Sequence, residues 1–212
     1  MTKLLNVALS LMLALTAFSA QAADGSWEEG RHYERLSNPV RTSNPDVIEV
    51  AEVFWYGCGH CYRFKPLVEA WADKQAENVS FEMVPAALGR SWTPHAMAFY
   101  ALKAIDQLND TTNDALFKAL AVERRALNDA DALGEFLSDY GVDKAEFVAA
   151  YESFGVSAQF QQAQSQIRGA RITGTPTMLV NGKYTVTGTG AGSHEAMLEV
   201  VDYLVAKERD AR

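Results

Sequence analysis

The chain begins with an apolar-rich run, Leu4 to Phe18, preceded by one basic residue, Lys3, and followed by Ala20-Gln21-Ala22. That pattern predicts a secretory signal over residues 1–22, cleaved after Ala22. About 15 apolar-rich positions fall short of the roughly 20 that a membrane-spanning helix needs. After a polar entry segment, "HYERL" suits a short strand and "RTSNPDV" a turn. "VIEVAEVFW", from Val47 to Trp55, is rich in β-branched and aromatic residues and predicts a strand. Tyr62, Phe64, Leu67, Val68 and Trp71 then fall on one face of a helix running from Gly59 to about Ala76. "VSFEMVP", Val79 to Pro85, predicts a second strand. From Thr93 to Arg168 the apolar spacing is three to four throughout, with Ser, Asp or Asn standing where helix caps belong. The last stretch of this block, from Lys144 to Ala170, reads as a single helix. "GTPTMLVNGKYTVTG" predicts a turn, a short strand, an Asn181-Gly182 hairpin and another strand. A final helix over "SHEAMLEVVDYLVAKERD" ends in basic residues, as its dipole favours.

The order is therefore β-α-β, a helical block, then β-β-α. This predicts an α/β fold whose two halves, 23–92 and 169–212, are separated by a helical insertion over 93–168. With 48% hydrophobic residues, the chain is long enough to bury a sizeable core in one such unit. The net charge is −8, and removal of Lys3 with the signal leaves −9, 18 basic residues against 27 acidic. Nucleic acid and anionic membrane surfaces need clustered Lys and Arg, so neither is an expected partner.

Both cysteines of the chain, Cys58 and Cys61, stand in "WYGCGHCYRF". Zinc normally takes four ligands, and this pair supplies two; His32, His60, His95 and His194 include no His-x-x-x-His spacing, so no metal is expected. A structural staple gains stability with the length of loop it closes, and two intervening residues close almost none. The remaining use is a reactive pair. Cys58 follows a predicted strand and begins a predicted helix, where unpaired N–H groups favour a thiolate. The dipole gives about 0.3–1 kcal/mol and at best about 2, or roughly one pKa unit. A larger drop needs further donors, and His60 lies in the same turn. Cys61, one turn in, is nearer the core, where desolvation disfavours charge. Cys58 is thus the expected nucleophile and Cys61 the resolving thiol.

"VFWYGCGHCYRF" after a strand, with "GTPTMLVNGKY" far downstream, resembles the DsbA family of thioredoxin-fold thiol oxidases. The likeness covers nearly all of the chain beyond the signal. It implies a thioredoxin fold interrupted by the helical insertion. It also implies disulfide transfer to exported proteins through a mixed disulfide at Cys58, resolved by Cys61, with no cofactor beyond the Cys58–Cys61 disulfide itself. The resemblance further implies that His60 stabilises the Cys58 thiolate and that Thr175–Pro176 is a cis peptide beside the cysteines. The Thr175 backbone would then pair with an extended client. Glu49 and Glu52 fall on opposite faces of a strictly alternating strand, so one of them faces inward if both faces are covered. Family position selects Glu52, six residues before Cys58, as the buried acid that relays the Cys61 proton; the other reading is an exposed strand glutamate. The implied partners are polypeptides with free cysteines and a DsbB-type, quinone-linked membrane oxidase. The implied compartment is the periplasm, and the expected state is a monomer.

One departure concerns Gly59-His60, where the best-known members carry Pro-His. Gly59 adds backbone freedom, and the disulfide is expected to be somewhat less oxidising for it. Trp55, Tyr56 and the "SWTPHAMAF" segment are candidates for a polypeptide-binding surface, although Met97, Phe99 and Tyr100 sit at core spacing. An isomerase or reductase on the same fold is the alternative activity, and a chaperone-like binding module a more distant one.

Overall fold

The computed structural model describes residues 27–212; the signal segment expected over 1–22 lies outside the described residues. A two-residue strand, β1 (Glu34–Arg35), precedes β2 (Ile48–Phe54), which leads into helix α1 (Gly59–Ala72) and strand β3 (Val79–Pro85). Helices α2 (Thr93–Ala104), α3 (Asp110–Phe117), α4 (Ala130–Ser138), α5 (Lys144–Tyr151) and α6 (Phe154–Gly169) follow. Strands β4 (Thr177–Val180) and β5 (Tyr184–Thr187), a short helix α7 (Gly188–Ala191) and the long α8 (His194–Asp210) end the chain.

The sheet runs β1-β5-β4-β2-β3. β2 lies between a parallel neighbour, β3, and an antiparallel one, β4. All seven of its residues are buried, which requires cover on both faces. Ile48 and Val50 pack with Phe64 and Val68 of α1 and with Val200 and Leu204 of α8. Ala51 and Val53 face the insertion, in a cluster with Phe99, Leu102 and Ile167. Glu49 and Glu52 are therefore both buried, at 3% and 1% exposure. The strand is central, so neither carboxylate reaches solvent. Glu49 is satisfied by the backbone amide of Ser43 at 2.7 Å and by the Ser43 hydroxyl.

Local chemistry sets the helix ends. Asn109, Asp129, Asp143 and Ser153 each accept a backbone amide of the first turn that follows, as N-caps do. The cap at Ser153 divides the single helix expected over 144–170 into α5 and α6. Helix α1 stops at Ala72, short of the expected Ala76, because the amides of Lys74 and Gln75 turn back to Trp71 and Ala72 in tight bonds at 3.1 Å each. The Asn181-Gly182 hairpin forms with φ of 49° and 62°. A Cβ on Gly182 would lie 2.2 Å from the Val40 carbonyl oxygen, so only glycine fits.

Gln164 and Phe117 are among the residues that tie the insertion to the sheet. The buried Gln164 of α6 donates to the Pro85 carbonyl and accepts from the Ala87 amide, both at 2.9 Å. Phe117 packs against Phe54 and Tyr56 with ring centroids 5.4 and 4.8 Å apart.

Candidate active site

Cys58 caps the amino end of α1 with extended backbone, and its Sγ accepts the Cys61 amide at 3.4 Å. Across from it, the Thr175–Pro176 peptide is cis and delivers the Thr175 carbonyl, which accepts from the Cys58 thiol at 3.4 Å. Both cysteines are free thiols; Cys58 is half-buried and Cys61 buried. The turn that joins β2 to α1 is thereby placed against the entry to β4, the strand next to β2.

The two sulfurs are electrostatically unequal. Cys58 is lowered to about 5, chiefly by the hydrogen bond from the Cys61 thiol; burial opposes this, and the Thr175 hydroxyl and the amides of Cys61 and His60 add to the lowering. The Thr175 carbonyl acts in the other sense, since it can only accept from the neutral thiol. Cys61 is pushed up, first by burial, then by its donated bond and by the neighbouring Glu52. Glu52 is itself raised to about 8, mostly by burial and further by Glu69 and Cys58, with Lys65 pulling the other way. Among the described residues, neither Glu52 carboxylate oxygen has a hydrogen-bond partner. An unpaired carboxyl in that position is held neutral near pH 7.

His60 reaches Cys58 through its backbone amide. Its imidazole lies 3.2 Å from the Arg63 guanidinium and 6.0 Å, centroid to centroid, from the ring of His194. Gly59 occupies the first helical position, and a Cβ there would have only the Arg63 guanidinium nearby, at 3.6 Å. Trp55 stacks on Trp92 at 4.1 Å and donates its Nε1–H to His95 Nδ1 at 3.0 Å. Tyr56 is buried and donates to Asn113 Oδ1 at 2.8 Å. Both side chains therefore anchor the active turn to the insertion, and Phe99 and Tyr100 are core residues.

Sequence reasoning missed Lys65. This 8%-exposed lysine pairs with Glu69 and Asp114, both at 2.6 Å, and among the described residues it is the cation that acts on Glu52. Its signal was positional: four residues beyond Cys61, it stands one turn above that thiol on the same face. His194, which packs on Phe64 at 5.1 Å, gave no signal beyond its place at the start of the final helix.

A thiolate-stabilising helix start, a second thiol held neutral and a cis-proline turn set against them define a thioredoxin-fold dithiol oxidoreductase with an inserted helical block. A family model described as a DSBA-like thioredoxin domain matches residues 68–202. A thiol:disulfide interchange protein DsbA of Pseudomonas aeruginosa is 39% identical over 207 residues, covering 97% of this chain and 98% of the relative. The DsbA of Azotobacter vinelandii is 39% identical over 215 residues, covering all of both chains. The crystal structure of Pseudomonas aeruginosa DsbA superposes with a TM-score of 0.85 at 38% identity, over 88% of this chain and 96% of that one. The chain belongs to the DsbA family and is a thiol–disulfide oxidoreductase.

Proposed function

We propose that the protein works as an oxidase of the periplasm, exported by a signal cleaved after Ala22, and that it donates the Cys58–Cys61 disulfide to exported polypeptides with free cysteines. A client thiolate attacks Cys58 Sγ, and the Cys58–Cys61 bond breaks with its electron pair on Cys61. Glu52, protonated at neutral pH, supplies the proton that Cys61 takes up. A second client thiolate then attacks the client sulfur of the mixed disulfide and releases Cys58 as a thiolate. The client loses two electrons and the protein gains them. Re-oxidation runs the inner steps in reverse, with Glu52 accepting the Cys61 proton, and a DsbB-type quinone-linked membrane oxidase takes the electrons. The disulfide is the sole redox group, and the working unit is a monomer.

The observation that carries this reading is the inequality of the two sulfurs, Cys58 lowered to about 5 and Cys61 raised. A stable thiolate makes the reduced form favourable and the disulfide a strong electron acceptor. Thr175, with its carbonyl 3.4 Å from Cys58 Sγ, offers main-chain pairing to an extended client, and His60 adds an amide donor. The test is stoichiometric oxidation of a reduced dithiol peptide by the oxidised protein, with Cys58→Ser as control. Complete transfer by the parent and none by the variant is the expected result; transfer that survives Cys58→Ser refutes the assignment.

A further inference from the structure

Beside the cysteines lies a cleft of about 560 Å³, bounded by the Thr175–Pro176 turn, the segment after α6 and the amino end of α8. Polar and apolar groups line it in about equal measure, and the residues that bring the polar ones are Thr175, Thr187, Ser193, His60, His194 and Arg171. Among the described residues no carboxylate lines it, although the chain as a whole carries −8. Arg171 is exposed and has no ion-pair partner within 4.0 Å among the described residues, whereas the buried Lys65 has two. Arg63, exposed and 3.2 Å from the imidazole of the lining residue His60, adds a second cation nearby. The nearest acid on α8, Glu195, is turned back to Ser193 and its own backbone amide. A cationic, hydroxyl-lined hollow next to a reactive sulfur, in an otherwise acidic protein, complements an anionic side chain.

We propose that this cleft selects clients carrying an aspartate or glutamate close to the reacting cysteine, with Arg171 as the residue that reads the carboxylate and His194 as an additional donor. The proposal rests on the oxidase reading above, since it concerns which client segment lies beside the mixed disulfide at Cys58.

The experiment uses three reduced dithiol peptides that differ only in having Asp, Ala or Lys two positions from the reacting cysteine. Oxidised protein is mixed with each, and the rate of peptide oxidation is followed at low and high salt. For an exposed charge pair worth about 0.2–1 kcal/mol, the Asp peptide should react about 1.4- to 5-fold faster than the Ala peptide, and the Lys peptide slower than both. In 0.5 M salt the three rates should converge, because exposed pairs are screened. Arg171→Gln should shrink the Asp preference and Arg171→Glu should reverse it. Equal rates for all three peptides with the parent protein would overturn the proposal, as would an Asp preference that Arg171→Glu leaves intact. If the parent oxidises none of the peptides, the oxidase reading itself fails, an outcome distinct from oxidation without preference. The salt series on the parent keeps the proposal falsifiable if a variant does not fold.

Discussion

The Tyr56 hydroxyl donates to Asn113 Oδ1 across 2.8 Å in the buried interior, joining the turn before Cys58 to helix α3 of the insertion. The Asn113 side chain makes one further hydrogen bond among the described residues, from Nδ2 to Met83 Sδ at 3.8 Å. Tyr56→Phe keeps the ring packing and leaves a buried acceptor unpaired. It should cost about 1–3 kcal/mol in equilibrium denaturant unfolding. An unchanged midpoint would mean that the bond adds nothing to stability.

Cys58 gives the reduced protein a pH-dependent stability that the oxidised form lacks. Its thiol ionises near 9.0 when unfolded and near 5 when folded. Because the folded value is depressed, the contribution is complete above about 9 and is lost as pH falls through about 5. Cys61 stays a thiol in the folded state throughout that window, and its ordinary value of 9.0 lets it ionise in the unfolded chain only at the upper end. Unfolding curves for reduced and oxidised protein should therefore separate in favour of the reduced form as pH rises from 5 to 9. Cys58→Ala, which cannot form the disulfide, should lack the rise of stability with pH that the reduced parent shows.

Glu52 acts with the opposite sign. Its folded value of about 8 exceeds the ordinary 4.5, so the folded protein holds a proton that the unfolded chain has released. Stability falls as pH climbs from about 4.5 to about 8. Glu52→Gln removes that penalty, and the variant should become increasingly more stable than the parent across this interval. The same substitution should slow thiol–disulfide exchange by up to about 10²-fold and remove the rate inflection near pH 8. Exchange kinetics that match the parent at every pH would eliminate the relay.

Gly59 sits where a helix tolerates proline, at its first position, and the bond to Cys58 Sγ comes from the Cys61 amide two residues on. Gly59→Pro therefore removes no contact to the sulfur while stiffening the turn. A glutathione redox titration should place the variant at a higher, more oxidising potential by on the order of 10–30 mV, where 30 mV is about 1.4 kcal/mol. A parent potential above that of Gly59→Pro would contradict the expectation.

What the sequence disclosed is what depends on near neighbours in the chain. The β-branched run of β2, the helix opening at Cys58 and the hairpin at Asn181-Gly182 are encoded within a few residues. What stayed hidden spans long separations: Tyr56 to Asn113 is 57 residues, and Gln164 to Pro85 is 79. Cys58 and Thr175 are 117 apart, and their pairing came from family resemblance alone. Alternation put Glu49 and Glu52 on opposite faces, yet that both are buried follows only once α1 and α8 cover one side and the insertion the other. Lys65 was passed over because a lysine on an amphipathic helix usually projects into water, whereas here Asp114, from another helix, draws it inward.

Gln164 spends both ends of one amide on the segment that leaves β3. Swinging the helical block outward would break both bonds together and exchange them for bonds to water, at about 0.5–1.5 kcal/mol each. One side chain thus latches the block to the sheet at two adjacent points of the main chain.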